Sequence, residues 1–205
     1  MPTKLSNPTA LGLACFAVSL TVLSLENLGW IGGGSTVALA LFFGGVVEIA
    51  VGFAEFWTGN TFAMTVFGSY GAFWTVLGFN TWATMHNWYG AAGAPKGWLL
   101  GLSIAFTIIS TIFLIASTHL LKSLFAVFLT LDLLFVLLDL NLLGVGAAGK
   151  ILWYEALICA ATAWYLLAAI VINDAFGSEA LPLGVYAKAA PSVPPVPLKV
   201  AAAKA

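Results

Sequence analysis

The sequence predicts an all-α, polytopic membrane protein with six transmembrane helices per protomer, and its composition supports this fold class. Only 7% of the 205 residues are charged, against about a quarter in an ordinary soluble domain. Hydrophobic residues make up 61% of the chain, and they form continuous uncharged runs rather than the alternating stretches of a β-barrel. With seven lysines and no arginine, the chain also lacks the basic surface that a nucleic-acid partner requires.

Helix-breaking residues in the N-terminal half mark the ends of the first three spans. A helix needs about 20 apolar residues to cross about 30 Å of hydrocarbon, and glycine or proline marks where such a helix ends. Asn7-Pro8 opens the first run, a glycine cluster at 29–34 closes it, and Thr58-Gly59-Asn60 separates the second run from the third. The predicted spans are 8–28, 34–57 and 62–83.

The last three spans are divided in the same manner. A loop from His86 to Pro95 precedes the fourth run, Ser117-Thr118-His119 separates the fourth from the fifth, and Gly144-Val145-Gly146 precedes the sixth. The predicted spans are 97–117, 121–143 and 151–173. Each is of the length that crosses a bilayer.

Two segments with different roles are predicted. Residues 1–176 form a six-helix transmembrane domain, and residues 177–205 hold five of the eight prolines and three lysines. The second segment is typical of a disordered tail. Six spans place both termini on one side, and lysines set that side. Cytoplasmic termini place five lysines inside and two outside; the inner ones are Lys4, Lys122, Lys188, Lys199 and Lys204.

The sequence carries no motif that indicates catalysis, so we predict that the protein is not an enzyme and has no catalytic residues. His86 and His119 lie in different loops, and no pair of histidines or cysteines has the spacing of a zinc site. The glycine triplet at 32–34 lacks the lysine that follows in a phosphate-binding loop. We therefore expect neither a metal nor a cofactor.

Four acidic residues fall within predicted spans. Glu48 and Glu55 are seven residues apart in the second span, as are Asp132 and Asp139 in the fifth. Seven residues is about two helical turns, so each pair shares one face about 10 Å apart along the axis. Ionisable groups at membrane depth face the bundle interior or water, which favours a proton relay or a polar pathway. The alternative is a structural role, in which each acid hydrogen-bonds a neighbouring helix.

Two helix starts carry an asparagine. Asn7-Pro8 opens the first span, and Asn60-Thr61 opens the third. Asparagine accepts hydrogen bonds from free backbone N–H groups at a helix start, and proline fits the first turn. Capping alone explains both positions. The alternative is that both starts face one vestibule and contact a solute there.

Several motifs together resemble the acetate uptake transporter family, of the succinate–acetate permease type. Residues 7–13 are similar to that family's opening motif, although Thr9 and Ala10 depart from it. Phe43-Gly44-Gly45 with Glu55 is similar to its second span, and residues 60–74, NTFAMTVFGSYGAFW, resemble its most distinctive signature. The resemblance extends over about residues 5–180 and is densest in the first three spans.

The resemblance implies a membrane channel or proton-coupled transporter for acetate, and for other small carboxylates such as succinate. It implies a homo-hexamer in the plasma (inner) membrane, with one pathway per protomer through an apolar constriction. The residues that match this constriction are Phe16, Tyr70 and a span-five position that ungapped matching places at Thr130, with Leu129 and Leu131 on either side of it. The polar contacts that we expect are Asn7, Asn60, Thr61 and Ser69.

Two other functions remain open from the sequence. Low charge and six spans also suit a passive channel for a small neutral solute such as urea or ammonia. A membrane scaffold or sensor is the third hypothesis, since the lysine-containing tail offers a docking segment. Competition by urea or by cold carboxylates separates the first two functions. Deletion of residues 180–205 tests the third, because it should abolish the function of a scaffold and largely spare that of a transporter.

Overall fold

Six helices form the fold, in a computed structural model that describes residues 6–145 and 148–186. Within these ranges six helices are long and apolar enough to cross a membrane. They are α1 (Thr9–Asn27), α2 (Ser35–Thr58), α3 (Thr61–Met85), α4 (Trp98–Ser117), α5 (Lys122–Leu142) and α6 (Ala148–Phe176). Each matches one predicted span, with ends that differ by three residues or fewer, so the predicted fold class is confirmed.

The helices close into a ring. Each packs against its neighbour in chain order, and α6 returns to pack along α1. The interior is aromatic: the ring of Tyr70 lies 5.5 Å from that of Phe106 and 6.2 Å from that of Phe113, measured between centroids.

The first part of α2 has a wider helical turn than the rest. Residues Leu39–Val47 form a π-helix, and α-helical geometry resumes at Glu48. π-helical turns are rare and are frequently found at functional sites. Hydropathy predicts the span but not this change of pitch, which ends directly before Glu48.

Helices α2 and α3 approach closely through glycine. A methyl group at Gly52 would lie 2.7 Å from the backbone nitrogen of Gly68 and 3.2 Å from the carbonyl oxygen of Met64. A methyl group at Gly68 itself meets nothing within 4 Å. Small residues therefore bring these two backbones together at Gly52, as is common between membrane helices.

Gly52→Ala is expected to destabilise the fold, because backbone atoms cannot move aside as a flexible side chain can. Overpacking of this kind costs about 1–3 kcal/mol. Gly68→Ala adds the same methyl at the same helix pair into open space, so it is the matched control. Thermal unfolding in detergent should show a lower midpoint for Gly52→Ala alone; equal midpoints for the two variants would contradict this account.

Residues 177–186, which we call the strap, turn back across the bundle after α6. The Asn173 carboxamide oxygen accepts from the backbone nitrogens of Ala180 and Leu181 at 2.8 and 2.9 Å. Its nitrogen donates to the Leu181 carbonyl at 2.8 Å. The predicted disordered tail therefore has a defined path over 177–186, because long-range hydrogen bonds hold it; the rest of that prediction, 187–205, lies outside the described residues.

Candidate functional site

Two cavities follow one another inside the bundle. The proximal cavity, which includes Asn7 and Leu183 near the two described ends of the chain, has a volume of about 430 Å³. The distal cavity, which includes Glu26, has a volume of about 320 Å³. Among the residues that the structure describes, only Phe16, Tyr70 and Leu131 line both. These three side chains, which we call the constriction, form the boundary between the two cavities.

The three side chains of the constriction are buried. Phe16 of α1, Tyr70 of α3 and Leu131 of α5 are 6%, 2% and 3% exposed. The rings of Phe16 and Tyr70 meet edge to face, with centroids 6.2 Å apart. The Tyr70 hydroxyl and the Ser110 hydroxyl share a hydrogen bond of 2.6 Å, which satisfies the polar end of the tyrosine away from the boundary. What faces a solute there is therefore mainly carbon.

Thr130, the position given by ungapped matching to the family, lies off both cavities. Its hydroxyl donates to the carbonyl oxygens of Ala126 and Val127 at 2.9 and 3.0 Å. It also lies 3.3 Å from the Thr162 hydroxyl of α6. Since successive residues on a helix point about 100° apart, Leu131 and not Thr130 completes the boundary.

The proximal cavity brings together both predicted helix starts. Asn7 and Asn60 line it. Each also acts as a cap: the Asn7 side-chain oxygen accepts from the Thr9 nitrogen, and that of Asn60 from the Ala63 nitrogen, both at 3.1 Å. The two interpretations of these residues are therefore compatible, because a cap at a cavity wall offers its remaining polar atoms to a solute.

Thr61 and Ser69, the other predicted polar contacts, line neither cavity. Thr61 is exposed at the start of α3. The Ser69 hydroxyl donates within its own helix, to the carbonyls of Thr65 and Val66 at 2.7 and 3.1 Å. Each lies one residue from a cavity-lining residue, Asn60 or Tyr70, and therefore points to another side of the helix.

The two glutamates of α2 have different surroundings. Glu48 and Glu55 are each 1% exposed. Glu48 lines the proximal cavity, and its Oε2 has no hydrogen-bond partner within the described residues. Glu55 accepts from the hydroxyls of Thr9 and Thr58. Glu55 therefore joins α1 to α2, while Glu48 keeps an oxygen uncommitted beside the cavity.

Asp132 and Asp139 face α4 rather than the cavities. The Thr111 hydroxyl donates to Asp132 at 2.9 Å, and the Thr107 hydroxyl donates to Asp139 at 2.6 Å. Neither aspartate lines the proximal or the distal cavity. This pair matches the structural alternative, in which acids hydrogen-bond a neighbouring helix.

Sequence reasoning missed one acid of the distal cavity as a site residue. The Glu26 carboxylate accepts from the backbone nitrogens of Gly34 and Thr36 at 2.7 and 2.8 Å, and from the Thr36 hydroxyl at 2.7 Å. It thus occupies the free N–H groups at the start of α2. The signal available in the sequence was a glutamate a few residues before a glycine-rich helix start.

The fold and the site together define a polytopic membrane protein of the channel or transporter class, since two cavities are divided by a thin apolar boundary. Comparison with known proteins gives the family. The profile of the GPR1/FUN34/yaaH family matches residues 1–183. The chain belongs to this family.

Individual relatives cover most of the chain. The succinate-acetate/proton symporter SatP of Escherichia coli K12 is 36% identical over 187 residues, which are 89% of this chain and 97% of the relative. Acetate permease A of Emericella nidulans is 33% identical, over 79% of this chain and 60% of its own. A solved structure, that of the bacterial acetate channel SatP, matches with a TM-score of 0.81 and 33% identity, over 88% of this chain and all of that one.

Proposed function

We propose that the protein carries acetate, and other small carboxylates such as succinate, across a membrane through one pathway in each protomer. The observation that carries this proposal is that the proximal and distal cavities share three lining side chains within the described part of the chain, Phe16, Tyr70 and Leu131. Relatives named as an acetate channel, an acetate permease and a succinate-acetate/proton symporter support the choice of solute. The role proposed for the protein is passage of a solute, with no catalytic step.

The chemistry of the cavity walls suits brief binding. No lysine or histidine within the described residues lines either cavity, so no full positive charge holds an anion there. Asn7 and Asn60 in the proximal cavity and Asn141 in the distal one offer neutral hydrogen-bonding groups. A pathway needs binding that favours entry but still permits exit. An acetate methyl group suits the apolar boundary between these polar contacts.

The same proposal includes assembly and location. We propose a homo-hexamer in the plasma (inner) membrane with cytoplasmic termini, on the basis of family membership and of the lysine distribution. Large apolar side chains remain exposed on the outer helix faces, among them Phe53, Ile108 and Ile112. Such faces need lipid or neighbouring protomers to cover them.

Purified protein in proteoliposomes should take up labelled acetate above the leak of protein-free liposomes. Cold succinate or formate should reduce this uptake, because each presents a carboxylate to the same pathway, and urea should not. Uptake is measured with and without an imposed pH gradient, since stimulation by the gradient above the leak indicates proton coupling. Uptake equal to protein-free liposomes would contradict the proposed function.

Ammonia is the second candidate solute. Ammonia transport outward protein 3 of Saccharomyces cerevisiae is 33% identical over 84% of this chain and 65% of its own. An apolar constriction also passes a small neutral molecule. Inhibition by ammonia or urea, with no effect of cold succinate, would favour this candidate over the carboxylate pathway.

The scaffold hypothesis needs a different truncation from the one the sequence suggested. Residues 180–183 contribute hydrogen bonds to the fold, through Ala180, Leu181 and Pro182 among others. Removal of 180–205 therefore disturbs the bundle as well as any docking segment. Removal of 187–205 alone leaves every described residue in place, and transport should survive it.

A further inference from the structure

We propose that the strap is a gate of the proximal cavity, with Leu183 as its closing side chain. This inference rests on the proposed function for its transport test. Leu183 lines the proximal cavity although it lies outside the six spans, and it packs against the apolar core. Leu120, Leu121, Leu124 and Ile170 line the same cavity beside it. An apolar closure thus forms a second barrier in series with the constriction.

The strap is held at the start of α5 by its own carbonyl groups. The Lys122 nitrogen donates to the Gly184 carbonyl at 2.8 Å, and the Ser123 nitrogen donates to the Leu183 carbonyl at 3.3 Å. The Ser123 hydroxyl donates to the same Leu183 carbonyl at 2.8 Å. The first N–H groups of a helix have no partner within the helix. The strap therefore supplies the cap that α5 lacks in its own side chains.

The strap has further contacts at Pro182, Val185 and Tyr186. Leu121 and Val185 form a single antiparallel bridge. The Tyr165 hydroxyl donates to the Pro182 carbonyl at 2.8 Å, and the Lys122 ammonium lies 5.9 Å from the centre of the Tyr186 ring. Segments that lie outside the packed helices open at lower free energy than the core. Release of the strap removes Leu183 from the cavity, and α5 then loses the backbone cap at its start.

Gly184 provides a one-methyl test of this arrangement. Its φ is +68°, and a methyl group there would lie 2.8 Å from the Lys122 Cβ. Gly184→Ala is therefore both strained and crowded in the closed strap. Gly101→Ala is the matched control, because Gly101 lies in α4 with nothing within 4 Å of an added methyl group.

Accessibility of the cavity gives a readout that does not depend on transport. Val127, which is 3% exposed, lines the proximal cavity. In protein with Cys15 and Cys159 replaced by serine, we expect a polar thiol reagent to modify Val127→Cys roughly tenfold faster when Gly184→Ala is present, since left-handed backbone strain shifts an equilibrium by about that factor. Gly101→Ala should leave the rate unchanged. An equal rate in all three proteins would overturn the gate.

An engineered disulfide between the strap and α5 tests the same gate during transport. The Cα atoms of antiparallel bridge partners lie about 4.5–5.5 Å apart, within the range that a disulfide spans. Leu121→Cys with Val185→Cys should lose acetate flux on oxidation and regain it on reduction, whereas oxidation should not change the flux of either single variant. Unchanged flux at complete cross-linking would overturn the gate. Absence of flux in the unmodified protein would instead contradict the proposed function, and the accessibility assay would still decide the gate.

Discussion

Phe16→Ala should let larger monocarboxylates through the pathway. Phe16 lines both cavities and meets Tyr70 edge to face at a centroid distance of 6.2 Å. Removal of its ring opens the boundary where acetate must pass without water around it. We expect uptake of butyrate relative to acetate to rise roughly tenfold, which equals about 1.4 kcal/mol in the barrier. Initial uptake rates for acids of increasing chain length, each above the protein-free leak, measure this change.

Phe113→Ala separates the pathway effect from loss of packing. Phe113 is 7% exposed and its ring centroid lies 6.2 Å from that of Tyr70, as Phe16 does, yet it lines neither cavity. Both substitutions remove a buried phenyl ring, at a cost of about 3–5 kcal/mol in a soluble core. Selectivity should change for Phe16→Ala alone. The same size limit in both variants would mean that the constriction lies elsewhere.

The spans were predictable from the sequence because the bilayer imposes one length on every helix that crosses it. Uncharged runs divided by glycine, proline or polar clusters locate all six helices to within three residues at each end. The π-helix at Leu39–Val47 was not predictable in this way. It depends on hydrogen bonds one residue longer than those of an α-helix, and mean hydropathy does not respond to pitch.

Site residues were predictable only where they lie within a motif that resembles the family. Phe16 and Tyr70 follow from motifs in the first and third spans, and the structure places both at the boundary between the cavities. The span-five position was ambiguous by one residue, and only packing selects Leu131 over Thr130. Hydrogen bonds between residues far apart in the sequence could not be predicted. Thr9 donates to Glu55, 46 residues away, and Ser123 donates to the Leu183 carbonyl, 60 residues away.

Hydrogen-bond partners from other parts of the sequence also distinguish the four acids within the spans from one another. From the sequence, a proton relay and a structural role were both open for Glu48, Glu55, Asp132 and Asp139. Threonine hydroxyls bind three of them, at Glu55, Asp132 and Asp139. Glu48 alone among the four lines a cavity. We therefore propose Glu48 as the proton carrier and give the other three structural roles.

Glu48→Gln should abolish stimulation of acetate uptake by a pH gradient. A carboxyl group takes up and releases a proton, whereas the amide of the same shape does not. If one proton accompanies each acetate, a difference of one pH unit drives up to about tenfold accumulation. The variant should lose this driving force. It should still exchange labelled for unlabelled acetate at equal concentrations, because exchange requires no net proton movement.

Glu55→Gln and Asp139→Asn are the matched controls for Glu48→Gln. Each removes one ionisable group from a membrane-spanning helix, and neither position lines a cavity. An amide oxygen still accepts the hydrogen bond that Thr9 or Thr107 donates, so both controls should keep the stimulation. Initial rates with and without the gradient, corrected for the protein-free leak, decide the assignment. Stimulation retained in Glu48→Gln but lost in either control would move proton transfer from the cavity wall to an interface between helices.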